Sequence, residues 1–319
     1  MLAVFSLVAP IFGLIGLGLL TAKIRWLDVT AGRILAEFGY KVAMPALLFR
    51  TMSTAGMPAS SPLNLISSYL LAISSTWLLA TLATRFILRR PADDAPSIAM
   101  GSCFANGVML GIPLLLGAFG DAAATPIAFL VTIETIYLWI LATLHMEIAS
   151  RGLRSISFGA VWAILRDVAR NPIVASVILG IAWAASGLTI PPLADRLLAL
   201  LAQAAVPVSL FALGMTLAAY GIAGQIRTLS LILFLKMAIY PTLALLLTHY
   251  VFELPPVWTA ALLVFTSMPV GANAFVFASR YERAIGSVSA AVAVSTAIAV
   301  VSVTAILAML QLMGLAATP

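Results

Sequence analysis

Ten apolar stretches, separated by short polar segments, make up most of this chain. Each stretch is close to the roughly 20 residues that a helix needs to cross the hydrocarbon core of a bilayer. The pattern therefore predicts an all-α polytopic membrane protein with ten transmembrane helices, which we number as spans 1 to 10. The spans are predicted at about residues 2–21, 33–53, 64–86, 96–118, 123–146, 170–188, 195–222, 228–251, 257–279 and 284–313.

The two halves of the chain repeat several residues at a fixed offset of 162 positions. The repeated pairs are Pro10 and Pro172, Gly18 and Gly180, and Pro45 and Pro207. Five spans per half is an odd number, so the second half enters the membrane from the opposite face and the repeat is inverted. The predicted organisation is a first five-helix repeat at 1–150, a cytoplasmic linker at 151–169, and a second repeat at 170–319.

Basic residues are distributed unevenly between alternate loops. The loops assigned to the inside carry thirteen of the seventeen Lys and Arg residues, whereas the opposite loops carry only Arg196. The positive-inside rule then predicts a multi-pass protein of the plasma (inner) membrane with both termini outside. The net charge of +6 is explained by this topology, and we expect no nucleic-acid partner.

Spans 4 and 9 are interrupted at corresponding places. Span 4 contains Asn-Gly-Val-Met-Leu-Gly-Ile-Pro at 106–113, and span 9 contains Met-Pro-Val-Gly-Ala-Asn at 268–273. Proline removes a backbone donor and glycine weakens a helix. Unwound backbone inside a membrane is tolerated only within protein or at a wet cavity, so matched interruptions point to a transporter site. The alternative is that these residues only kink packed helices.

The interruptions also predict the chemistry of the site. Half-helix N-termini expose amides that suit an anion, and half-helix C-termini expose carbonyls that suit a cation. An Asn lies in each interruption and can both donate and accept hydrogen bonds. The candidate substrate-binding residues are Asn106, Gly107, Pro113, Pro269, Gly271, Asn273 and, for its charge, Lys41.

Ionisable side chains inside the spans are a further group of candidates, because they are costly in a membrane. Lys41 and Arg50 lie in span 2 and favour an anionic substrate, with snorkelling to the interfaces as the alternative. Glu134 lies near the middle of span 5 and is a candidate for proton or cation coupling. A structural hydrogen bond to a neighbouring helix is the other interpretation of Glu134.

Several classes of protein are disfavoured by what the sequence lacks. Cys103 is the single cysteine, so there is no intrachain disulfide framework, and no Cys/His cluster has metal-ligand spacing. HExxH, GxSxG and paired intramembrane aspartates are absent, so we do not expect an enzyme. No cofactor is expected, apart from a sodium ion as a candidate coupling ion.

Four segments together resemble the auxin efflux carrier family. They are Lys-Val-Ala-Met-Pro-Ala-Leu-Leu-Phe at 41–49, the 106–113 segment, Phe-Ala-Leu-Gly-Met at 211–215, and Met-Pro-Val-Gly-Ala-Asn-Ala-Phe at 268–275. The prokaryotic members of this family include malate and malonate transporters, and its plant members are the PIN auxin exporters. The resemblance covers the whole chain, but the long cytoplasmic loop of many plant members is absent.

The resemblance implies an NhaA-like or bile-acid-symporter-like fold. Spans 1, 2, 6 and 7 would form a scaffold, and spans 3–5 and 8–10 would form a moving transport domain with crossed, discontinuous spans 4 and 9. Asn106, Pro113, Pro269 and Asn273 would mark the crossing. A homodimer formed through the scaffold is a further implication of the fold.

We therefore expect a secondary transporter that moves a small mono- or dicarboxylate, or an auxin-like acid, by an elevator-type motion. One alternative is a sodium- or proton-coupled symporter or exchanger whose crossing mainly binds the cation. A membrane receptor that binds ligand without transporting it is another. The expected partners are the carboxylate substrate and the lipid bilayer.

Overall fold

The chain is all-helical in a computed structural model that describes residues 2–54, 62–152, 162, 166, 170–219 and 225–313. No β-strand occurs among these residues, which form one isolated antiparallel bridge. The α-helices are α1 (Leu2–Lys23), α2 (Val29–Phe38), α3 (Met44–Thr54), α4 (Pro62–Phe86), α5 (Ala95–Cys103), α6 (Ile112–Phe119), α7 (Ala124–Arg151), α8 (Pro172–Ala185), α9 (Pro192–Leu217), α10 (Ile226–Phe234), α11 (Tyr240–Tyr250), α12 (Pro256–Thr266), α13 (Ala272–Tyr281) and α14 (Ile285–Leu312). The linker predicted at 151–169 lies almost wholly outside the described residues.

Five helical segments among the described residues are long and apolar enough to cross a membrane. They are Pro62–Phe86, Gly107–Ser150, Pro192–Leu217, Ile226–Tyr250 and Ile285–Leu312. Other apolar helices are shorter, among them Pro172–Ala185 and Pro256–Thr266, the second of which ends where predicted span 9 is interrupted. These lengths and compositions fit a polytopic membrane protein, as the hydrophobic pattern predicts.

Within the described ranges, three π-helical turns interrupt the α-helical backbone, and a proline lies two residues beyond the end of each. The turns are Gly39–Ala43, Gly107–Gly111 and Leu235–Ile239, and the prolines are Pro45, Pro113 and Pro241. A proline has no N–H to donate, and its ring clashes with the carbonyl four residues earlier, which here belongs to the middle residue of each turn. The turn before each of these prolines is accordingly wider than an α-helical turn.

One group of helices packs through close backbone contacts. In this group α1 lies along α9, α3 lies along α8, and α9 also contacts α2 and α3. A methyl group at Gly18 would overlap the carbonyl oxygen of Phe211, and one at Gly180 would meet the carbonyl oxygen of Phe49. Glycine at these two positions lets the helix axes approach more closely than any other residue would allow.

The second group contains the interrupted spans. Here α4 packs on α5 and α11, α10 packs on α14, α12 contacts α7 and α11, and α13 contacts α5 and α14. Its larger buried apolar side chains include Tyr69, Phe265, Met268 and Phe277, and its interior also contains most of the buried Ser and Thr residues in the described part of the chain. The contacts between the groups include those of α1 with α14, of α3 with α7, and of α9 with the turn Gly107–Gly111.

Polar contacts at the helix ends connect two different sets of loops. In one set, Arg90 pairs with Asp94 at 2.8 Å and donates to Gln225 at 2.9 Å. Arg283 pairs with Asp93 at 2.6 Å in the same set. In the other set, the guanidinium of Arg50 binds both carboxylate oxygens of Asp195 at 2.7 and 3.2 Å, and Asn64 donates to the carbonyl of Phe252 at 3.2 Å.

Candidate functional site

Two interrupted helices meet at one point in the second group. The chain leaves α5 after Cys103 and leaves α12 after Thr266, and the two unwound segments run antiparallel to form the bridge between Ala105 and Val270. The amide of Asn106 donates to the carbonyl of Pro269 at 2.8 Å, and the amide of Gly271 donates to the carbonyl of Phe104 at 3.0 Å. We call this pair of bonded segments the crossing. Its hydrogen bonds give partners to backbone amides and carbonyls that have none within a helix.

Side chains from two further helices bond the remaining bridge amides. The amide of Ala105 donates to Oε1 of Glu134 in α7 at 2.8 Å. The amide of Val270 donates to Oγ of Ser295 in α14 at 2.9 Å. In each case the acceptor lies in the long helix that follows the second half of the interrupted helix, α7 after α6 and α14 after α13, and both acceptors are buried.

The second half of each interrupted helix starts beside the crossing. Gly107 begins the turn that leads into α6, and Ala272 begins α13. The amides in the first turn of a helix have no partner within that helix, and the N-terminus carries a partial positive charge. The crossing thus places two helix N-termini near the same bridge, an arrangement that favours an anion.

The two asparagines flank the bridge. Asn106 follows Ala105 directly and is buried, and its carbonyl accepts from the amides of Leu110 and Gly111 at 3.2 and 3.0 Å. Asn273 lies in the first turn of α13 and is half-buried. Both residues therefore lie beside the helix N-termini at the crossing.

The glycines and prolines at the crossing have evident packing roles. A methyl group at Gly107 would overlap the ring of Phe265, and one at Gly271 would lie 2.6 Å from the carbonyl oxygen of Ala105. Pro269 supplies the carbonyl that Asn106 binds. Pro113 is buried at the start of α6, two residues beyond the widened turn Gly107–Gly111.

Glu134 lies at the crossing rather than merely near it. Its side chain is 2% exposed, and Oε1 accepts from the hydroxyl of Tyr69 at 2.9 Å as well as from Ala105. This is the hydrogen bond to a neighbouring helix that the sequence left as one interpretation. Its role in coupling stays a prediction.

Lys41 is not brought to the crossing by any contact in the described part of the chain. Its ammonium pairs with Glu37 one helical turn earlier, and its side chain is 60% exposed. Arg50 is likewise engaged elsewhere, at Asp195. A role for Lys41 in substrate binding remains a prediction, and the crossing shows no contact that supports it.

A different lysine, Lys236, lies at the crossing, and sequence reasoning missed it. Its side chain is fully buried, its Nζ donates to the carbonyl of Thr266 at 3.0 Å, and Nζ lies 4.7 Å from the centroid of the Tyr240 ring. The signal was present, because Lys236 is the one Lys, Arg, Asp or Glu residue between Arg227 and Glu253. Ser295 had no comparable signal, because span 10 contains several other serines.

Comparison with known proteins gives two findings. The sequence profile of the family described as "Membrane transport protein" matches residues 3–307. The chain is also 28% identical, over 295 residues, to a protein of Rhizobium meliloti (strain 1021) named "Putative malonate transporter". That similarity covers 90% of this chain and 91% of the relative.

Proposed function

The chain belongs to the membrane transport protein family, that of the auxin efflux carriers, and from this membership we propose that it moves a small mono- or dicarboxylate. Malonate and malate are the first candidates, since the similar Rhizobium protein is named for malonate. An auxin-like acid is the next. The observation that carries the proposal is the crossing, where two helix N-termini and two asparagines surround one bridge.

The substrate carboxylate would sit beside the bridge. The amides that begin at Gly107 and Ala272 would donate to its oxygens, and the side-chain amides of Asn106 and Asn273 would complete the donor set. Helix N-termini bind carboxylates without a neighbouring cation, so the site does not need the exposed Lys41.

The proposed architecture is ten transmembrane helices in two inverted repeats. Three pairs of features support it, each with one member in each half. They are the antiparallel interruptions, the contacts of Gly18 with Phe211 and of Gly180 with Phe49, and the acceptors Glu134 and Ser295. The offset between Gly18 and Gly180 is the same as that between Phe49 and Phe211, which is expected if the halves are related by symmetry.

We propose an elevator motion in which the group holding the crossing moves against the other group. The scaffold would be α1, α2, α3, α8 and α9, whose contacts are close and backbone-mediated. The moving part would be α4 to α7 and α10 to α14, which carries the crossing as one packed unit. The plasma membrane is the proposed location, and dimerisation through the scaffold stays part of the proposal.

The test is transport by purified protein in proteoliposomes, measured as charge movement or labelled substrate uptake. The panel is malonate, malate, succinate, acetate and indole-acetate. We expect wild-type protein to transport at least one of these, and Asn106→Ala and Asn273→Ala to lose that activity while remaining monodisperse in size-exclusion chromatography. Asn64→Ala is the matched control, because Asn64 is exposed at the far end of α4 and donates to Phe252. Normal transport by both crossing variants would refute the site.

A second candidate function is cation-coupled transport, in which sodium or a proton binds at the crossing. The buried carboxylate of Glu134 favours it, since such a group can hold a cation or a proton. Transport that does not change with sodium or with a pH gradient would exclude it. Transport of any kind would exclude a receptor that only binds ligand.

A further inference from the structure

A cavity lies among the ends of three helices, away from the crossing. It has a volume of about 260 Å³ and is found where α11 ends, α12 begins and α14 ends. This volume is close to roughly 300 Å³, the lower end of the range for small-molecule sites. The lining residues are Leu245, Thr248, His249, Glu253, Leu254, Pro256, Thr259 and Met313. None of them belongs to the crossing, so the cavity is separate from the candidate substrate site.

The predicted topology places this cavity at the depth of the lipid headgroups on the outer side. Glu253 lies in the loop between predicted spans 8 and 9, which is assigned to the outside. Tyr250 at the end of α11 is 74% exposed, and aromatic side chains of this kind are enriched where a membrane meets water. Leu246 and Leu312, each next to a lining residue in the chain, are exposed as well. An apolar surface at this depth is covered by lipid chains.

The polar part of the lining suits a ligand that carries both charges. Glu253 supplies a carboxylate, and the ring of His249 supplies an N–H donor. The hydroxyl of Thr259 donates to the carbonyl of Leu254 at 3.1 Å, so its lone pairs are left to accept from a ligand. Neither Glu253 nor His249 forms an ion pair within the described part of the chain. The cavity therefore offers acceptors for an ammonium and a donor for a phosphate.

The same groups disfavour the other common headgroups. Among the described residues that line the cavity there is no Lys or Arg, and Glu253 would repel a headgroup that is only negative, such as phosphatidylglycerol. A choline headgroup has no N–H to donate to Glu253 or Thr259. A primary ammonium can donate to both at once. The charge and the hydrogen-bonding groups together select an ethanolamine phosphate.

We propose that this cavity binds the headgroup of a phospholipid of the phosphatidylethanolamine type from the outer leaflet. The ammonium binds Glu253 and Thr259, the phosphate accepts from His249, and the acyl chains lie along the exposed ends of α11 and α14. The bound lipid joins three helix ends in the part of the protein that carries the crossing. The proposal does not rest on the transported substrate, since the lipid binds whether or not a carboxylate is moved.

The first experiment measures the melting temperature of the purified, detergent-solubilised full-length protein with added lipid. Phosphatidylethanolamine, phosphatidylcholine and phosphatidylglycerol with identical acyl chains are compared, together with soluble phosphoethanolamine. We expect phosphatidylethanolamine to raise the melting temperature saturably, by on the order of 5 °C at a hundredfold excess over its Kd, and the other lipids to raise it much less. An equal rise with all three lipids would overturn the proposal. An equal rise with soluble phosphoethanolamine would assign the cavity to a soluble ligand instead.

Variants of Glu253 test the choice of headgroup. Glu253→Gln keeps the shape of the side chain and removes its charge, so the affinity for phosphatidylethanolamine should fall about tenfold. Glu253→Lys should reverse the preference, so that phosphatidylglycerol stabilises the variant more than phosphatidylethanolamine does. Asp121→Asn is the matched control, because Asp121 is an exposed carboxylate of another outer loop and does not line the cavity. A Glu253→Lys variant that still prefers phosphatidylethanolamine would refute the proposed role of Glu253.

A measurement on wild type alone covers the case in which a variant cannot be purified. Native mass spectrometry should show phosphatidylethanolamine retained on the protein under conditions that remove phosphatidylglycerol. Retention of both lipids to the same extent, or of neither, would refute the proposal. Absence of uptake across the carboxylate panel in proteoliposomes would count against the proposed function and leave the lipid result standing.

Discussion

Single side chains decide whether the buried backbone amides at the crossing have hydrogen-bond acceptors. The hydroxyl of Ser295 accepts the amide of Val270 inside the protein, where water cannot replace it. A buried amide that loses its acceptor costs about 1–3 kcal/mol.

We therefore expect Ser295→Ala to lower the melting temperature of the purified protein. Ser302→Ala is a matched control in the same helix, since the Ser302 hydroxyl is buried without a hydrogen-bond partner. The free energy of unfolding of that variant should lie within about 0.5 kcal/mol of the wild-type value, because the substitution removes no hydrogen bond. Equal losses in the two variants would mean that the bond to Val270 contributes little.

At this scale the sequence predicted which residues flank the crossing but not which charge lies in it. Asn106, Pro269 and Asn273 stand out because they interrupt an apolar stretch. Lys41 and Lys236 are both single lysines within spans, and each lies in a π-helical turn. The sequence separates them only in part, since Glu37 lies one helical turn from Lys41 whereas no acidic residue lies near Lys236 in sequence. The burial of Lys236 depends on packing between helices that are distant in sequence, which no local pattern encodes.

Among the elements, the pairing of α1 with α9 depends on glycine at the contact. Gly18 faces the carbonyl of Phe211, whereas Gly13, in the same helix, has open space where a side chain would begin. We expect Gly18→Ala to destabilise the protein by about 1–3 kcal/mol through overpacking. Gly13→Ala should be neutral or slightly stabilising, because alanine favours a helix over glycine.

Melting temperature and the monodisperse fraction after size-exclusion chromatography would measure both glycine variants. Gly16→Ala repeats the control at a second open position. If Gly18→Ala behaves like the two controls, then α1 and α9 can move apart without loss of stability. The close contact at Gly18 would then not be needed to hold the proposed scaffold together.

The sequence predicted where helices break more reliably than it predicted how each proline changes the helix around it. Proline and glycine in the same places of both halves predicted that spans 4 and 9 would break, and both do. The widened turns before Pro45 and Pro241 were not predicted, because a proline within an apolar stretch does not always widen the turn before it. Pro10 and Pro207 lie inside α1 and α9 without such a turn. Whether a proline kinks, widens or breaks a helix depends on its neighbours in three dimensions.

For the molecule as a whole, the polar contacts between helix ends agree with the topology predicted from charge. Loops assigned to the inside contact each other through Arg90 with Gln225 and Arg283 with Asp93. Segments assigned to the outside contact each other through Arg50 with Asp195 and Asn64 with Phe252. The proposed ten crossings would produce this grouping, and the orientation itself stays a prediction from the positive-inside rule.

Cysteine labelling of intact cells tests the orientation. The native Cys103 is buried and should not react with a membrane-impermeant maleimide. Ser186→Cys, between α8 and α9, should be labelled from outside, and Arg227→Cys, at the start of α10, should be labelled only after permeabilisation. Both positions are exposed, so the difference reports the membrane side. Labelling of both, or the reverse order, would contradict the predicted topology.

The bond between Asn106 and Pro269 also governs the order in which the protein can be completed. A ribosome releases the first interruption long before residue 269 exists, so the amide of Asn106 has no carbonyl to meet during that interval. The early half must wait in the bilayer, or beside the insertion machinery, with its fourth span unfinished. We therefore expect a product truncated between the halves to leave these backbone groups without their partners.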